Sequence, residues 1–86
     1  MISEKSNPIE WPVMLMELDE AKEHIETLKE QLHRDGSIEE EDFKIQLFHT
    51  ISHLNRLWNG RNHSGEINQE LHSELSKTPT DFRPVG

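Results

Sequence analysis

The chain has 86 residues, only 31% of them hydrophobic, with no Cys and no Tyr. That allows one small domain, which buries only about 60% of its unfolded surface and gains nothing from disulfides. Asp and Glu number 17 against 9 Lys and Arg, a formal charge of −8. Nonspecific binding to a polyanion or an anionic membrane therefore starts against net repulsion, and neither a nucleic-acid nor a membrane partner is expected. MISEKSNPIEW has no apolar h-region, and the longest apolar run, Val13 to Met16, is too short to cross a bilayer. The expectation is a soluble, cytoplasmic protein.

Residues 1–10 mix Ser, Glu, Lys, Asn and Pro and read as a flexible arm. A helix is expected over about 12–34, entered at Trp11 and Pro12. Trp11, Met14, Leu18, Ala21, Ile25, Leu28 and Leu32 recur at 3-4 spacing and form one stripe. Asp19, Glu23, Glu26 and Glu30 fall away from it.

Gly36 stands where a helix commonly ends. Ser37 with Glu40 three residues on has the capping-box spacing, so a second helix is expected over about 38–59. The short connection makes the two helices antiparallel neighbours. At about 100° per residue, Phe43, Leu47, Ile51, Leu54 and Trp58 share one face, widened by Phe48 and Leu57. The apolar arc is about 180°, more than one partner helix covers. Register about the turn pairs Leu28 with Phe43, Ile25 with Leu47, Ala21 with Ile51, Leu18 with Leu54 and Met14 with Trp58.

A third, short helix is expected over about 65–77, with Ile67, Leu71 and Leu75 as a narrow stripe and Glu66, Glu70 and Glu74 repelling one another beside it. Residues 78–86 read as an extended or disordered tail with Phe82 as its anchor. The domain proper is 11–77. The fold class is all-α, a helical hairpin plus a third helix, and the surplus apolar arc points to a homodimeric four-helix bundle. Phe43, Leu47, Phe48, Ile51, Leu54, Leu57, Trp58, Ile67, Leu71 and Leu75 are the expected interface residues.

Chemistry is sparser. His49 and His53 are an i,i+4 pair, a spacing at which two imidazoles share a metal. They lie on the polar side of the second helix with Gln46 and Arg56, where solvated or interface histidines are the more common case; Glu17 or Glu20 would reach them only from a flank. Arg56, Arg61 and His63 concentrate positive groups, and backbone N–H groups after Ser64 would suit an anion. Pairing of the two arginines with Glu10, Glu17 or Glu66 is the stronger reading.

The spacing Glu17-x-x-Glu20 followed by Glu39-x-x-Asp42 resembles the paired acidic motifs of all-α nucleotide pyrophosphohydrolases of the MazG type. The resemblance covers these four residues and implies Mg²⁺ held between helices. In the hairpin, however, the two pairs lie on the order of 20 Å apart at 1.5 Å per residue, so one ion meets both only across a dimer. No Gly-rich phosphate loop, Ser-His-Asp spacing or basic recognition helix is present.

No catalytic residue and no cofactor are assigned. The leading functional class is a small acidic protein-protein interaction or scaffold protein, acting as a homodimer or on an unidentified protein partner. The alternatives are a binding module for a metal or small anion, an acidic inhibitor or antitoxin-like protein, and the disfavoured pyrophosphohydrolase.

Overall fold

A computed structural model of the chain describes residues 1–62 and 67–80. It contains three helices: α1 (Glu10–Asp35), α2 (Glu40–Asn59) and α3 (Gln69–Leu75). Helices α1 and α2 pack closely as an antiparallel hairpin, and α3 rests against α2. Helix α1 starts at Glu10, which leaves Pro12 in the first turn, where its missing N–H breaks no intrahelical bond. Ahead of it, Asn7 N–H donates to the Ser3 carbonyl at 2.8 Å and Trp11 N–H to the Asn7 carbonyl at 3.0 Å.

Gly36 ends α1 in the left-handed region at φ 67°, its N–H returning to the Leu32 carbonyl. Beside it, Arg34 Nε donates to Asp35 Oδ1 at 2.9 Å. That bond holds the Asp35 carboxyl below its ordinary value and raises the guanidinium of Arg34. The expected capping box does not form. Helix α2 begins at Glu40 with extended Glu39 at the N-cap and no side-chain cap bond. Glu40, Glu41 and Asp42 instead place negative charge at the positive end of the helix dipole. Helix α3 is shorter than its apolar stripe implies. It starts after Asn68, whose side chain accepts from Leu71 N–H at 2.8 Å.

The rotation of the helices departs most from the sequence reading. Between α1 and α2 lie Glu17, Ala21 and Leu28 on one side and Thr50 and His53 on the other, all buried. Side-chain bonds cross this seam. Near the turn, Gln46 Nε2 donates to Gln31 Oε1 at 2.8 Å and to Asp42 Oδ1 at 3.2 Å, and Gln31 Nε2 donates to Asp42 Oδ2 at 3.2 Å. Thr50 Oγ1 donates back to the Gln46 carbonyl. The expected apolar pairing is therefore not the seam. Leu18, Ile25, Phe43, Leu47, Ile51 and Leu54 are all exposed.

Relative to that pairing, α2 is turned by about 120° and α1 by about 70°. The physical reason is in α2 itself. Its apolar arc is too wide to face one helix, while the amides and charges of its other side find partners on α1. A buried polar group is tolerated only when so paired. The helices run antiparallel, so the two rotations bring both apolar rows to the same side of the hairpin. Leu18, Ile25 and Leu32 of α1 lie beside Phe43, Leu47 and Leu54 of α2, between 37% and 52% exposed.

Helix α3 sits on the opposite side. Asn55 Nδ2 donates to the Ser76 carbonyl at 2.9 Å, and Asn59 Nδ2 donates to the carbonyls of Leu75 at 2.8 Å and Lys77 at 2.7 Å. Leu75 is buried beneath them. Among the described residues the buried apolar set is Ala21, Leu28 and Leu75. No helix among them is long and apolar enough to cross a membrane.

Candidate functional site

The open end of the hairpin gathers charge. Glu17 and Glu20 stand one turn apart on α1, and His53 and Arg56 one turn apart on α2. Because α2 turns its polar side inward, the four meet. Arg56 Nε donates to Glu17 Oε2 at 2.7 Å, and Arg56 Nη1 donates to Ser76 Oγ at 2.8 Å. Arg56 Nη2 is 2.8 Å from His53 Nδ1. The same Nδ1 is 3.4 Å from Glu17 Oε1 and 3.4 Å from Glu20 Oε2. The Glu17 and His53 side chains are each 9% exposed, that of Glu20 46%.

A second histidine of α1 completes the group. The His24 ring centroid is 5.1 Å from that of His53 and 5.9 Å from that of His49. The anticipated His49 and His53 pair is thus divided by burial. His53 faces the seam and His49 remains exposed.

A cleft of about 600 Å³ opens on this cluster. Its walls include Ile9, Val13, Met14 and Met16 from the start of α1, Leu57 of α2, and Ile67 and Leu75 around α3; Glu17, Glu20, His53 and Arg56 supply the polar part.

The other candidate residues are spread out. Arg61 is engaged locally, its Nη1 donating to the Trp58 carbonyl at 2.6 Å and its guanidinium stacked 3.6 Å over the Trp58 ring. Arg56 is committed to Glu17, one of the pairings read from the sequence. His63, Ser64, Glu66 and Phe82 lie outside the described residues. Leu57, Trp58 and Leu71 are half-buried, whereas Ile67 and Phe48 are exposed. The two acidic pairs of the pyrophosphohydrolase resemblance belong to separate networks: Glu17 and Glu20 gather at His53, and Asp42 bonds Gln31 and Gln46.

The sequence reading underrated Glu17 and Glu20, which it placed at a flank. The signal was available in the spacing of Glu17 with Ala21 and Leu28, which places it at the edge of the apolar stripe on their side. It also passed over Asn55, Asn59 and Ser76, which fasten α3. Chemically, the cluster offers two carboxylates, an imidazole and a guanidinium lining an apolar-walled cleft, with the Ser76 hydroxyl bonded to the guanidinium. Comparison with known proteins finds no matching family model, no matching curated protein and no matching solved structure.

Proposed function

We propose that this chain is a small acidic, non-enzymatic interaction or scaffold protein that works as a homodimer, two hairpins closing into a four-helix bundle. One observation carries the reading: Leu18, Ile25, Leu32, Phe43, Leu47 and Leu54 form an apolar row on the face opposite α3, and no described residue covers it. From Leu18 to Leu32 that row is about 21 Å long at 1.5 Å per residue. Two helices wide, it has the shape that another helical pair fits.

A second copy is the preferred occupant for two reasons. Among the described apolar residues of the three helices only Ala21, Leu28 and Leu75 are buried. A core so small does not hold a domain together, so the covering partner has to be present whenever the chain folds. A copy of the chain meets that condition without any other gene product. The face is also apolar on both helices, so two copies meet across a twofold axis without apposing the chain's acidic surfaces. The absence of Cys suits work in a reducing cytoplasm. The finished bundle would present α3 and its cleft twice, one on each outer side, as a scaffold for further partners.

Sedimentation equilibrium at micromolar concentration tests the reading. The expected mass is twice the 10.1 kDa of the chain. A folded monomer at that concentration refutes it.

A further inference from the structure

We propose that Glu17, Glu20 and His53 form a binding site for one divalent transition-metal ion, with zinc the best chemical match. One donor atom from each residue converges on one point. One ligand atom from each of Glu17, Glu20 and His53 lies within 4.8 Å of the other two. Glu17 Oε1 and Glu20 Oε2 are each 3.4 Å from His53 Nδ1. Bonds of about 2.0–2.2 Å in tetrahedral geometry separate neighbouring donor atoms by about 3.4 Å. The two Glu-to-His distances therefore already have the value that zinc imposes. A nitrogen with two carboxylate oxygens is also a donor set that favours zinc over magnesium, which prefers oxygen alone.

A second observation concerns the groups that crowd His53 Nδ1. No placement of the His53 ring proton satisfies all the groups around Nδ1. Arg56 Nη2, at 2.8 Å, can only donate, so that contact needs a lone pair on Nδ1. The lone pair then faces two carboxylate oxygens, themselves acceptors, at 3.4 Å. A proton on Nδ1 would serve the oxygens and oppose the guanidinium. In a place where Glu17 and His53 are buried, neither arrangement is relaxed. A cation at the point of convergence takes up the lone pair and both oxygens together.

The surroundings fit that role. Arg56 Nε holds the outer oxygen, Glu17 Oε2, and leaves Oε1 turned toward the site. A hydrogen bond of this kind to the far oxygen orients ligating carboxylates in metal centres. Arg56 Nη1 is anchored on Ser76 Oγ, so only Nη2 has to give way. The cleft on the other side gives the ion an entry path and room for a further ligand of its own. Guanidinium and metal repel each other, which weakens the affinity. The inference is independent of the dimer, since all three donors belong to one chain and lie away from the apolar face.

Zinc titrated into the purified full chain by calorimetry tests it, with cobalt absorption as the coordination readout. The expected result is one saturable site per chain and a tetrahedral cobalt spectrum. Glu20→Gln should weaken binding about tenfold or more and remove that spectrum. Its half-exposed side chain makes Glu20 the safest of the three to change, and an unaltered melting curve would confirm that the fold is kept. His53→Gln should abolish the site, and His49→Gln should leave it intact. Absence of saturable binding to the wild-type chain overturns the proposal. So does a folded Glu20→Gln chain that binds zinc like the wild type, because the ion would then sit on other histidines.

Discussion

Arg56 Nε lies 2.7 Å from Glu17 Oε2, a bond between residues 39 positions apart that ties the last turns of α2 to the early turns of α1. Both side chains are almost wholly buried, at 12% and 9% exposure. Removing one partner strands the other's charge in a poorly solvated place. Arg56→Ala is expected to cost about 3–5 kcal/mol, most of it the penalty of leaving Glu17 alone. Replacing both, Arg56→Met with Glu17→Leu, should recover most of that loss. Urea unfolding of the single and double variants measures the difference.

The exposed row predicts a different outcome. Leu47→Asp places a charge in the middle of the proposed interface, at a position 39% exposed in the single chain. Loss of a central apolar anchor typically costs about 2–4 kcal/mol of association. The dimer should therefore dissociate at concentrations where the wild type holds together. Lys44→Asp, at an exposed position, is the control. Sedimentation velocity over a concentration series distinguishes the two variants.

Helix α3 is fastened chiefly by two asparagine side chains of α2. Asn59→Ala removes donations to the Leu75 and Lys77 carbonyls. At about 1 kcal/mol per hydrogen bond, α3 should detach while the hairpin persists. Hydrogen exchange should then speed up across 69–77 and stay unchanged across α1. An equal rise in both places would show that α3 is integral to one cooperative unit.

Gly36 and Gly60 should respond to Ala for different reasons. At Gly36 the φ of 67° is unfavourable for any L side chain, yet a Cβ there meets nothing within 4 Å. Gly36→Ala should cost about 1 kcal/mol, and Gly36→Asn less, because Asn tolerates this backbone region. At Gly60 a Cβ would stand 2.9 Å from the Arg56 carbonyl oxygen and 3.7 Å from Leu75 Cδ1. Gly60→Asn should therefore give no relief over Gly60→Ala. Thermal melts of the four variants separate conformational strain from crowding.

The elements were legible in the sequence because apolar spacing reports helices directly. Leu18, Ile25 and Leu32 recur as a stripe whether or not anything covers them. For the same reason the rotation was not legible. Periodicity identifies the apolar face and is silent on whether that face meets the neighbouring helix or another molecule. Phe43 and Leu54 look like core residues in one dimension and stand at the surface in three.

Arg56 with Glu17 was within reach, since both were already candidates for an ion pair. Glu20 beside His53 was expected only as an approach from a flank. Their meeting depends on α2 turning its polar side toward α1, which follows from the amide ring of Gln31, Asp42 and Gln46 as much as from the charges themselves.

That amide ring separates two requirements that most small helical proteins load onto the same residues. The bonds inside the hairpin are directional, so they admit one rotation and one axial setting of α1 against α2. Apolar contacts of the kind proposed for the outer row carry no such geometry. In the proposed dimer, a mutation among Leu18, Ile25, Leu47 or Leu54 weakens association and with it the folded chain, while the directional bonds still select one register. In that dimer the outer row sets how much of the chain is folded, and the amide ring sets which arrangement it folds into.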